Sequence, residues 1–112
     1  MKRVHRLRKR IDFSRVYRRG ISVSDALLVL YAFYNKRNEG FRFGVSVSKK
    51  VGGAVLRNKL RRQIKEIVRT RVGLDTRLPY DLVIIVRPRA KMKTFDDLEK
   101  SVKYLFKKAN LV

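Results

Sequence analysis

Apolar residues recur along this chain with two periods, and the switches between them mark out its elements. From Ala54 to Arg71, Leu56, Leu60, Ile64, Ile67 and Val68 fall three and four residues apart, which predicts a helix with one face on a core. Just before it, Phe41, Phe43, Val45 and Val47 alternate with Arg42, Gly44, Ser46 and Ser48, the period of two of a strand over 41–48. Leu27 to Tyr34, LLVLYAFY, is short and rich in strand formers and reads as another strand. The polar turn between them, NKRNEG, predicts that these two strands pair as a hairpin. Leu82 to Val86, LVIIV, is a continuous apolar run, as expected of a strand over 81–87 covered on both faces.

Helices are predicted at both ends as well. Phe13, Val16 and Tyr17 are spaced i, i+3, i+4, so a short helix starts near Asp12 and is expected to stop at Gly20 in a left-handed cap. Thr94 and Asp97 form a capping box that opens a last helix, whose core stripe is Phe95, Leu98, Val102, Leu105, Phe106 and Ala109. The order is helix, two strands, helix, strand, helix, and 41–48, 54–71 and 81–87 read as a βαβ unit. No repeat or long linker divides it. The 112 residues are expected to form a single domain that buries about two thirds of its unfolded surface.

Charge changes the picture. Thirty Lys and Arg face nine Asp and Glu, a formal net charge of +21 and far more than solubility requires, which points to a polyanionic partner. The 54–71 helix alone holds seven cations against Glu66, and Asn58, Arg62, Lys65 and Arg69 point away from its apolar face, with Arg57 and Arg61 on the flank. Residues 1–10 are expected to be a mobile basic arm. No apolar run approaches the roughly 20 residues of a membrane span, and MKRVHRLRKR does not look like a signal peptide. Without cysteine there is no disulfide framework, and a cytoplasmic setting fits.

Catalytic groups are not evident. An enzyme acting on nucleic acid usually presents clustered carboxylates or a histidine pair, whereas His5 is the only histidine and the acids outside the last helix are scattered singly. Ser46 and Ser48 have no histidine to activate them, and KKVGG at 49–53 is not a phosphate-binding Walker loop. Phe13, Tyr17 and Tyr31, beside the small Gly44 and Ser46, suit flat guests such as unpaired bases, with cations on the phosphates. Composition leaves other classes open: a ribosomal RNA-binding protein, a self-sufficient nuclease, or an anionic-membrane binder.

The stretch FGVSVSKKVGGAVLRNKLRRQIKEIVR, from Phe43 to Arg69, resembles the signature of the bacterial ribonuclease P protein subunit. The likeness extends to LRKRIDFSRVYRRG, LLVLYAF, DLVIIVRP and the final helix, nearly the whole chain. It implies an α+β fold: a four-stranded, mostly antiparallel sheet with three helices and a left-handed βαβ crossover. It implies a subunit that assists a catalytic RNA in removing the 5′ leader of precursor tRNA, with Mg2+ held mainly by RNA and substrate. No protein catalytic residue, membrane or protein oligomer is required. Carried over by position, Arg57, Asn58, Lys59, Arg61 and Arg62, extended by Lys65 and Arg69, face the catalytic RNA. Phe13, Tyr17, Val29, Tyr31 and Ser46 line the leader cleft, and Lys49 and Lys50 contact phosphates. Lys59 stands where many relatives carry Arg; it keeps the charge but not the bidentate fork.

Overall fold

A computed structural model describes Leu7 and residues 9–112. The elements are α1 (Arg10–Arg19), β1 (Ile21–Ser24), β2 (Leu28–Tyr34), β3 (Arg42–Val47), α2 (Ala54–Thr70), β4 (Tyr80–Val86), a 3-10 turn (Pro88–Met92) and α3 (Phe95–Lys108). The arm expected over 1–10 falls largely outside the described residues. Leu7 is buried, however, and its N–H donates to Phe43 O at 3.0 Å.

One mixed sheet runs β1-β2-β4-β3. Two of its pairs are antiparallel, and β3 with β4 is parallel, so 42–47, α2 and β4 do form the βαβ unit that the periodicities predict. The expected hairpin of β2 and β3 does not form, because β4 lies between them. As the most apolar strand, β4 has most to gain from neighbours on both edges and cover on both faces. The 35–41 connection instead bonds the loop before β4: Asn35 N–H reaches Pro79 O and Phe41 N–H reaches Thr76 O. The edge strand β1 escapes the apolar pattern, since ISVS is four residues long and mostly exposed.

Alternation along each strand sorts the core. Leu28, Leu30 and Ala32 of β2, Phe43 and Val47 of β3, and Leu82, Ile84 and Val86 of β4 meet Leu60, Ile64, Ile67 and Val68 of α2 and Leu98, Val102, Leu105 and Phe106 of α3. The opposite face carries a smaller cluster of Val83, Val16 and Leu7, with Phe13, Tyr31, Phe33 and Ile85 packed around it. Among the described residues α1 is the one helix on that side, and with Leu7 beside it covers only part of the face.

Both helix ends follow local chemistry. Thr94 and Asp97 make the anticipated capping box, each side chain bonded to the other's backbone N–H. Gly20 departs from expectation: its φ of −81° and ψ of 166° are extended, not left-handed. Glycine is needed there for space, since a Cβ would come within 2.6 Å of Val16 O and 2.7 Å of Ala32 O. Backbone atoms cannot yield as a flexible side chain can, so Gly20→Ala is expected to cost about 2 kcal/mol, read as a lower urea midpoint at unchanged m-value.

Candidate nucleic-acid interface

Sheet register sets the floor of a groove beside α1. On the α1 face, three rows cross β2, β4 and β3: Phe33–Asp81–Arg42, Tyr31–Val83–Gly44 and Val29–Ile85–Ser46. Phe13 lies on Gly44 so closely that a Cβ there would sit 2.6 Å from Phe13 Cζ, and Val16 packs with Val83. The first two rows are thus roofed. In the third row Val29, Ile85 and Ser46 stay half-exposed, and Ser24 of β1, paired with Val29, continues the floor to the sheet edge.

Aromatic rings form the wall. Tyr17 stands edge-on to Tyr31 with centroids 5.1 Å apart and is 6.4 Å from Phe13, and it remains 38% exposed. Burial pushes the Tyr17 phenol above its ordinary pKa, a hydrogen bond with Ser46 opposes this, and the neighbouring Tyr31 adds to the rise. Every leader-cleft residue expected from the sequence is therefore gathered here: Phe13, Tyr17, Val29, Tyr31 and Ser46. The arrangement offers ring faces, an apolar floor and a hydroxyl, which suits unpaired bases.

The second surface is α2, packed on the other side of the sheet. Asn58, Lys59, Arg62 and Arg69 are exposed, while Arg57, Arg61 and Lys65 are half-buried on the flanks. Arg61 donates to Asn58 Oδ1 at 2.8 Å. Arg57 Nε is buried and finds no hydrogen-bond partner among the described residues. Arg69 is engaged by Glu66, so its charge is partly answered within the helix. Lys49 and Lys50 are exposed in the turn that follows β3.

The family model for ribonuclease P matches residues 1–110. The chain belongs to the ribonuclease P protein family. It is 47% identical over 112 residues to the ribonuclease P protein component of Clostridium novyi, covering 99% of this chain and 98% of that one. It is similar in structure to the RNase P protein of Staphylococcus aureus, with a TM-score of 0.88 and 38% identity over 96% of each chain. The Thermotoga maritima RNase P protein superposes with a TM-score of 0.80 at 30% identity, over 92% of this chain and 96% of that one. Membership makes the chain the protein component of a tRNA-processing ribonucleoprotein whose partner is the ribonuclease P RNA. Among the described residues no helix is long and apolar enough to cross a membrane.

The structure adds residues to those expected of such a ribonuclease P protein. Ile85 and Ser24 complete the groove floor; Ile85 is hidden in a continuous apolar run, and only the register shows its half-open face. Arg87 follows Ile85 by two residues at the same end of the sheet as Lys49. Its guanidinium is held by Asp25 O at 2.8 Å, and with Ala26, Pro88 and Arg89 it lines an open cavity. The RPRAKMK run was the available signal. His5 lies outside the described residues.

What holds α1 on the sheet is partly ionic. Asp81, fully buried in β4, accepts from Arg42 Nε and Nη2 at 2.8 Å each, from Asn35 Nδ2 at 3.1 Å and from Asn38 Nδ2 at 2.6 Å. Arg42 also reaches both Asp12 oxygens at 3.4 Å. Burial alone would push the Asp81 carboxyl up, but the bonds from Arg42, Asn35 and Asn38 outweigh it and hold it below the usual range. A carboxylate depressed in the folded state stabilises above its unfolded pKa, about 3.9, and this stability is lost as pH falls through the folded value. Unfolding free energy is therefore expected to decline on acidification below about pH 4. In Asp81→Asn, denaturant titrations across pH 2–6 should show a shallower acid limb from a lower plateau.

Proposed function

We propose that the protein is a cationic clamp that holds the single-stranded 5′ leader of precursor tRNA in the α1 groove and docks on the catalytic RNA through α2. Hydrolysis of the phosphodiester is left to that RNA, in the cytoplasm. The observation that carries this reading is that the aromatic groove and the basic stripe lie on opposite faces of one sheet, linked by the short Ser48–Gly53 turn. Two polyanions can thus be bound at once without competing for a surface.

Each group has a role set by its chemistry. Phe13, Tyr17 and Tyr31 stack on leader bases, at about 1–3 kcal/mol per base, over the floor of Val29, Ile85 and Ser46. Lys49, Lys50 and Arg87 neutralise leader phosphates at the open rim. On α2, Asn58, Lys59, Arg62 and the flanking Arg61, Lys65 and Arg69 meet the phosphates of the catalytic RNA. Arg57 Nε gains there the acceptor it lacks among the described residues, removing the cost of an unmet buried donor.

Mg2+ enters as an ion held by RNA and substrate. Among the described residues no group of three or more His, Cys, Asp or Glu is placed to hold a metal. The protein's contribution is to lower the repulsion between two polyanions.

Paired variants test the division of labour in the reconstituted holoenzyme. Phe13→Ala with Tyr17→Ala is expected to weaken precursor binding about tenfold, corresponding to roughly one lost stacking contact, with RNA-subunit affinity unchanged. Lys59→Ala with Arg62→Ala should do the reverse; the opposite pattern in equilibrium binding would exchange the two surfaces. Both affinities should fall with salt, each neutralised phosphate contributing about 0.7–0.9 to the logarithmic slope. Protein freed of RNA is expected to leave precursor tRNA uncut in Mg2+.

A further inference from the structure

The helix that carries Phe13 and Tyr17 is weakly fastened for an element with such a task. Of its ten residues only Asp12 and Val16 are buried. Val16 is an apolar peg against Val83. Asp12 is a carboxylate at 7% exposure, facing the Arg42 guanidinium through both oxygens, with Arg15 at 3.5 Å as its other partner.

Arg42 is itself immobilised from below. Asp81 grips it in a two-point fork at 2.8 Å per bond, and Asn35 and Asn38 fill the remaining capacity of the same carboxylate. A buried ion pair of this kind contributes little net stability compared with a packed apolar group. Its bidentate geometry instead fixes direction. The guanidinium plane is set by the central strand, and its outer edge sets where the first turn of α1 lies.

Helix geometry carries this to the groove. Asp12 and Val16 are four residues apart on one stripe, and Phe13 and Tyr17 form the adjacent stripe, turned by about 100°. Pinning the first stripe at two points fixes both the axis and the rotation of the second. With only the apolar contacts of Val16 and Phe13, the helix keeps a pivot and loses its heading.

Resting on the leader-groove reading above, we infer that Arg42 and Asp12 are positioning residues for the RNA leader: the Asp81–Arg42–Asp12 chain aims Phe13 and Tyr17 over Gly44 and Ser46. Neither residue touches the leader, and both act through the angle of α1.

Electrostatics makes the test sharp. Asp12 is an acid beside a groove for a polyanion, so by charge alone its removal would tighten binding. Positioning demands the opposite. In the reconstituted holoenzyme, Asp12→Asn is expected to weaken binding of a precursor with a long leader about fivefold, the equivalent of one ordinary hydrogen bond. Affinities for leaderless tRNA and for the RNA subunit should stay unchanged. Arg42→Lys keeps the charge but not the fork and should act in the same direction. If that variant fails to fold, Asp12→Asn still decides, because Asp81 there keeps all its partners.

Equal or tighter leader binding by Asp12→Asn overturns the inference. So does a loss shared by leaderless tRNA and the RNA subunit, which would mark a general folding role. Phe13→Ala, measured alongside, separates the two readings. If it too leaves leader affinity intact, the groove assignment falls and takes the positioning role with it. If it weakens leader binding while Asp12→Asn does not, the positioning role alone is wrong.

Discussion

Strand β4 must be covered on both faces and paired on both edges, and most of this architecture follows from that requirement. Leu82, Ile84 and Val86 face one side and Val83 and Ile85 the other, so a helix layer on a single face would leave part of the run in water. At about 25 cal/mol per Å2 of apolar surface, the penalty would be several kcal/mol. The chain meets it by placing β4 centrally, α2 and α3 beneath it, and α1 across the top. Because α1 is short it covers two rows of the upper face and not the third. Among the described residues, the groove is what remains of an incompletely covered strand.

That layout assigns the two surfaces to different neighbours. The crossover that makes β3 and β4 parallel must pass over one face, and the helix that does so, α2, turns its apolar stripe inward and its cations outward. Aromatic groups belong to the opposite side because odd-numbered positions of β2 point there. A single change of register in β2 would send Tyr31 into the α2 layer and Leu30 into the groove. The separation of the aromatic groove from the basic stripe is thus a result of strand alternation as much as of the choice of side chains.

Local periodicity made much of this legible in the sequence. Leu60, Ile64, Ile67 and Val68 mark the buried face of α2 without ambiguity, and Thr94 with Asp97 marks the start of α3. Readings failed where the deciding contact is remote. The six-residue NKRNEG turn has the length of a hairpin loop, yet Asn35 and Asn38 are used to saturate Asp81, more than forty residues away. Gly20 resembles a left-handed cap until Ala32 O is found against it. Strand β1 is too short to show a period. The Asp12–Arg42–Asp81 chain links three elements by side chains thirty and thirty-nine residues apart, and no window of sequence contains it. Family resemblance supplied the fourth strand that periodicity lacked, since it transfers a whole arrangement at once.

The uncovered row Ser24–Val29–Ile85–Ser46 runs across the strands, apolar in the middle with a hydroxyl at either end. Such a floor offers few donors or acceptors to match the edge of any particular base, and stacking rings accept all four. On the proposed reading the protein senses that a strand is unpaired while remaining largely indifferent to its letters. One gene product can then service transcripts whose upstream segments share no common text.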